Sequence, residues 1–176
     1  MTTSSILRKL KGGDRRSIGR SNEVVAEVLT RPELFRRLFA GLSVDDLVVR
    51  SRAADAVEKI SAIHPEYLHP YRAKLVGELA RCDQKEVRWH IAQMLPRLRW
   101  NAREQHRVYT ILAKYLDDSS SIVKTFAMQA LADLTTQAPD RRPAVLRQLQ
   151  NLTEHGTSAT RARGRILLAY LLRESP

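Results

Sequence analysis

Apolar residues recur along most of the chain at spacings of three and four. That is the period of a helix with one buried face. A short helix is expected through Val24, Val25, Val28 and Leu29, with Ser21 as its N-cap. Pro32 suits the first turn of the next helix, which places Leu34, Phe35, Leu38 and Phe39 together. No segment alternates with period two among β-branched or aromatic residues, so no strands are expected.

Four stretches align without gaps: LVVRSRAADAVEKI (47–60), KEVRWHIAQMLPRL (85–98), SIVKTFAMQALADL (121–134) and SATRARGRILLAYL (158–171). Their first shared column is Val49, Val87, Val123 and Thr160, at spacings of 38, 36 and 37. Four positions on stand Ala53, Ile91, Ala127 and Gly164, and eight on stand Val57, Leu95, Leu131 and Leu168. The last column is Ile60, Leu98, Leu134 and Leu171. Offsets 0, 4, 8 and 11 share one helical stripe. Asp46, Asp83 and Asp118 lie just upstream, where a carboxylate favours a helix N-terminus. Further helices are expected at 67–80, 104–116 and 142–155, which makes each unit a helix pair. One such pair cannot bury its stripe alone, whereas stacked pairs build a continuous core.

The order Asp, Val-Arg, Ala, Leu in DDLVVRSRAADAVEKI and DQKEVRWHIAQMLPRL resembles the second helix of a HEAT repeat. The resemblance spans about residues 43–173. It weakens in the last unit, where Thr160 and Gly164 replace the usual apolar residue and alanine. It implies an all-α fold: a right-handed α-α superhelix of HEAT-like, armadillo-like helix pairs, about nine helices in all. Residues 21–176 form that solenoid. Residues 1–20, with Arg8, Lys9, Lys11, Arg15, Arg16 and Arg20 among Gly12, Gly13 and Gly19, are expected as a mobile basic N-terminal arm, the alternative being that Ile6, Leu7 and Leu10 dock as a short N-terminal helix.

Composition narrows the function. The chain of 176 residues is 43% hydrophobic and 28% charged, which suits a globular protein. The lone Cys82 offers no intrachain disulfide, and neither a secretory leader nor a run long enough to span a membrane is expected. A cytoplasmic protein without membrane insertion is the expectation. The five histidines form no HExxH pair, Cys82 has no CxxC partner, and no P-loop, GxGxxG or GxSxG occurs. No metal, no cofactor and no catalytic residue are therefore assigned.

The formal net charge is +11, with +5 on residues 1–42 and +3 on residues 157–176. A basic protein attracts nucleic acid and other anionic surfaces. Candidate phosphate contacts are Arg15, Arg16 and Arg20 on the arm and Arg161, Arg163 and Arg165 near the C-terminus. The repeated basic column Arg50, Arg88, Lys124 and Arg161 reads instead as a ladder bonding aspartates or backbone carbonyls of neighbouring repeats.

HEAT-like folds place their second helices on the concave side. There Trp89 falls opposite the core stripe, with Gln93 beside it, Arg97 on the flank and Trp100 continuing the face. In the next unit the same face carries Thr125 and Gln129. Exposed tryptophans beside arginines suit a binding platform; the alternative is that Trp89 packs between adjacent second helices while Trp100 anchors a loop. The reading is a non-enzymatic scaffold that binds a protein partner through Trp89, Gln93, Arg97, Trp100, Thr125 and Gln129. Nucleic-acid binding through the arm and the C-terminal arginines is the alternative. A third reading is a HEAT-like DNA glycosylase, which the loose similarity of Trp89, Arg88 and Arg97 suggests, with Asp55 as the nearest acid.

Overall fold

The computed structural model describes residues 5–14 and 17–173, and among them there is no strand. The chain divides into two compact units, Met1–Leu98 and Arg99–Pro176.

The first unit contains α1 (Ser5–Arg8), α2 (Ser21–Thr30), α3 (Phe35–Ala40), α4 (Leu47–Ile63), α5 (Arg72–Leu75) and α6 (Lys85–Met94). At its centre α4 packs against α2, α3 and α6. The repeat columns explain why. Val49, Ala53, Val57 and Ile60 of α4 are buried, as are Val87, Ile91, Leu95 and Leu98 on and just after α6. The Asp46 carboxylate accepts the Val48 and Val49 amides and starts α4. Ser21 does not cap α2. It is the first helical residue and fully buried, and its hydroxyl donates to Asp55 Oδ2 at 2.5 Å.

The helix expected over 67–80 is broken. A 3-10 stretch covers Pro65–Tyr71, α5 lasts one turn, and a second 3-10 turn covers Leu79–Arg81. Pro70 inside the first stretch cannot donate a helical hydrogen bond. An aromatic cluster holds this irregular region, with Phe39 stacked on Tyr71 at 3.8 Å and Phe35 edge-on to Tyr67 at 5.2 Å.

The second unit is more regular: α7 (Ala102–Leu116), α8 (Ser121–Leu134), α9 (Arg142–His155) and α10 (Ser158–Arg173). Asn101 and Glu104 form a capping box at the start of α7. Helix α8 packs against α7, α9 and α10, and buries Val123, Ala127, Leu131 and Leu134. On α10, Thr160, Gly164 and Leu171 are buried and Leu168 is half-buried. Gly164 departs from the alanine pattern for a local reason: a Cβ there would overlap Thr153 Oγ1 on α9 and sit 3.3 Å from the Met128 methyl of α8.

In the N-terminal segment the docked alternative holds, with the short helix α1 and its apolar residues packed. Over its described residues it is not a free arm. Ile6, Leu7 and Leu10 are buried. The following chain wraps around Arg52 of α4, which is only 4% exposed. Its Nη1 donates to the carbonyls of Leu10 (2.8 Å) and Gly12 (2.6 Å), its Nη2 to Asp14 (3.0 Å) and its Nε to Ser17 (3.0 Å). Gly12, Gly13 and Gly19 take positive φ of 73°, 74° and 53°, the left-handed backbone this wrap requires. A Cβ at Gly19 would also come within 2.6 Å of the Arg52 Cζ. The glycines that argue against a helix are thus the residues that let the loop close on a guanidinium.

Candidate functional site

In the first unit, Trp89 and Gln93 stand half-buried on α6. They are four apart, and the Gln93 amide donates to the Trp89 carbonyl at 3.3 Å. The indole meets the His90 ring edge-on, with centroids 5.5 Å apart. Gln93 Nε2 also lies 3.4 Å from His90 Nδ1. The tryptophan is therefore a half-buried aromatic beside a bonded amide and a buried ring.

Arg97 is not a free flanking cation. Its guanidinium donates to the Glu58 carbonyl (2.6 Å) and Ser61 Oγ (2.7 Å), and it pairs with the Glu58 carboxylate. It clasps α4 to the end of α6. Trp100 is 6% exposed, so it offers no surface ring. The reason is local. Pro96 lies in a 3-10 turn at Leu95–Arg97 that follows α6, and Leu98 is extended at φ −100°, ψ 143°. The helical register that would carry Trp100 onto the Trp89 face is lost at that point.

Beside His90, Asp55 Oδ2 accepts from Ser21 Oγ and, at 2.8 Å, from Lys59 Nζ, which also reaches Asn22. The acid weighed for base excision is thus held in a hydrogen-bonded cluster. Burial pushes the His90 imidazole from the ordinary 6.5 down to about 4; Asp55 opposes the shift, while Lys59 and Arg97 reinforce it. Below pH 6.5 the unfolded chain binds a proton that the folded chain refuses. The contribution of neutral His90 is thus complete above about pH 6.5 and is lost as pH falls towards 4. Urea titrations at pH 7 and pH 4 are expected to differ by roughly 3 kcal/mol through this residue. In His90→Gln that component should vanish. An unchanged pH profile in the variant would contradict the assignment.

In the second unit the expected contact residues have partners of their own. Thr125 Oγ1 donates to the Ile122 carbonyl at 2.9 Å. Gln129 Nε2 donates to Asp133 Oδ1 at 2.8 Å, and its oxygen accepts from Arg163 Nη1 at 3.3 Å. Burial raises the Asp133 carboxyl, against the pull of Gln129 and Arg163. Arg163 is therefore tied to α8, whereas Arg161 and Arg165 are exposed.

The basic column resolves into local bonds. Arg50 donates from Nε and Nη2 to the Val44 carbonyl, and Arg88 from Nη1 to those of Cys82 and Asp83. Both reach the loop before their own helix, and Arg50 Nη1 also lies 3.9 Å from Cys82 Sγ, in the loop before the helix of the next repeat. On the N-terminal segment, Arg20 pairs with Glu23 and Lys9 with Glu27. Arg15 and Arg16 lie outside the described residues. Arg31, Arg36 and Arg37 of the first unit frame a shallow hollow with Glu33, Leu34 and Ala40. Sequence reasoning did not single out these arginines, nor Arg52.

Among the described residues, no three His, Cys, Asp or Glu side chains gather as a metal site, and no helix is long and apolar enough to cross a membrane. No protein-family model matches the sequence, and no curated protein matches it. The fold is similar to that of a designed armadillo repeat protein, with a TM-score of 0.67 at 16% identity, over 99% of this chain and 84% of the other. The chain thus has an all-α helical-repeat fold of the armadillo/HEAT kind. At that identity the likeness concerns fold alone.

Proposed function

We propose that this chain is a non-enzymatic interaction scaffold that binds a protein partner, with Trp89 and Gln93 on α6 as a principal contact. One observation carries the reading: Trp89 is only half-buried, with Gln93 and His90 in contact beside it. Helical repeats supply extended surface in place of a reaction centre, and a braced aromatic is the typical energetic focus of such a surface. Trp100 adds nothing to it, and Arg97 contributes by bracing α6.

The test is quantitative capture with the immobilised full chain at about 100 and 500 mM salt. Trp89→Ala should weaken the captured partner about thirtyfold, the effect of truncating a tryptophan hot spot, with little dependence on salt. Equal capture by wild type and variant would refute the reading.

Nucleic-acid binding is the second reading. It is favoured by Arg161 and Arg165, which are exposed without an acidic partner among the described residues. It is weakened on the N-terminal side, where Lys9 and Arg20 are spent on glutamates. A labelled duplex would distinguish it by a steep salt slope that Trp89→Ala leaves unchanged.

A further inference from the structure

Helix α10 has two unlike faces. One buries Thr160, Gly164, Leu167 and Leu171, and the helix packs against α8 and α9. The other is open. Ala159, Ala162, Ile166, Ala169 and Tyr170 follow one another at intervals of three, four, three and one, so they share a single stripe. All five are exposed, Ile166 at 63% and Tyr170 at 41%. Leu172, at 60%, lies along one edge in line with Arg165, seven positions earlier. Isolated apolar residues on a surface need no explanation, but a stripe of them along one helix does.

The charges on this helix are one-sided. Ser158–Arg173 contains Arg161, Arg163, Arg165 and Arg173 and no acidic residue. Arg161 and Arg165 run along one edge of the stripe, Arg163 stands at the other, and Arg173 lies at its end. Arg163 is the one engaged with Gln129. Arg161, Arg165 and Arg173 are exposed, with no ion pair among the described residues.

We propose that this face of α10 docks an amphipathic helix of a protein partner, whose apolar ridge is flanked by acidic residues. The shape fits a helix. From Ala159 to Tyr170 the stripe runs straight for about 16 Å, and its alanines let a second helix come close while Ile166 and Tyr170 interdigitate with it. The charge selects the flanks. Carboxylates on either side of the ridge would meet Arg161, Arg165 and Arg173, which steers the encounter and sets the orientation. A second copy of this chain fits badly, because pairing α10 with itself in either direction sets arginines against arginines. A phosphate backbone would satisfy the arginines but leave Ile166, Tyr170 and Leu172 covering polar groups. A bilayer would gain little from a stripe that is mostly alanine. The proposal does not rest on the Trp89 surface, which belongs to the other unit.

The experiment uses the full chain and two fluorescein-labelled, hydrocarbon-stapled helical peptides. Both carry the same leucine ridge, flanked by glutamates in one and by lysines in the other. Fluorescence anisotropy should find the glutamate peptide bound at least about tenfold tighter, with the difference shrinking as salt rises. Ile166→Asp should weaken it about tenfold or more with an unchanged thermal melt, since Ile166 is a surface residue. Arg165→Glu should narrow the preference between the peptides, and Trp89→Ala should change nothing. Equal binding of the two peptides overturns the proposal, as does indifference to Ile166→Asp. Loss of binding in Trp89→Ala moves the contact to α6, which also overturns it while leaving the proposed function standing. Self-association that Ile166→Asp dissolves assigns the face to a second copy. If duplex DNA or phosphatidylglycerol vesicles bind through Ile166 and Arg165 and the peptide does not, the face belongs to those ligands instead.

Discussion

Arg52→Met is expected to destabilise the first unit by about 3–5 kcal/mol and to release residues 5–14 and 17–20 from it. The guanidinium is buried and donates to the carbonyls of Leu10, Gly12, Asp14 and Ser17. Methionine keeps much of the apolar stem but removes every donor. The carbonyls must then turn to water or stay unpaired, and a hydrogen bond to a charged group contributes more than a neutral one. Without that anchor only the short apolar patch of Ile6, Leu7 and Leu10 holds the segment. In a chain of 176 residues the melting temperature should fall by about 10 °C. Amide hydrogen exchange over residues 5–14 and 17–20 should rise towards the unprotected rate. Arg52→Lys should recover only a small part, because a single ammonium cannot span the same fork of acceptors. Wild-type melting and protection in Arg52→Met would show that the segment is held by its apolar contacts alone.

Leu131→Ala should cost about 2–5 kcal/mol, and Leu95→Ala a similar amount. Both side chains are fully buried, at the same offset in their repeats. Leu131 lies on α8, which packs against α7, α9 and α10, so the void opens where several helices meet. Collapse around it would require those helices to shift, and close-packed interiors resist that. Denaturant titration of each variant reads the effect. A change below about 1 kcal/mol at either leucine would mean that the repeat columns do not mark core positions.

The contrast between these two predictions separates what the chain spells out from what it leaves to assembly. The leucine positions follow from period alone. Val49, Ala53, Val57 and Ile60 recur as Val123, Ala127, Leu131 and Leu134, and all eight are buried. A helix presents one face to its neighbours, so a local pattern is enough to name the core. The capping carboxylate of Asp46 is legible in the same way, because its partners are two and three residues away.

The candidate site was legible only in part. Trp89 and Gln93 share one helix, and counting positions along it suffices to bring them together. Trp100 and Arg97 were misplaced. One proline ended the helical count before Trp100, and Arg97 found Glu58, 39 residues back in the chain. On α10 the stripe through Ala162, Ile166 and Ala169 could be read as apolar, but its degree of exposure could not. Whether an apolar face is covered depends on which neighbours reach it.

The all-α class, the repeat register and the buried columns are written along the chain, since each arises from interactions within one or two helical turns. Long-range packing is what folds the glycine-rich basic segment back, anchors it on Arg52 and consumes part of the positive charge internally. The acceptors of Arg52 lie 35 to 42 residues away in the chain. No local preference records such a bond. It forms because packing α4 at the centre of its unit buries a guanidinium, and a buried charge must be given partners from wherever the chain can bring them.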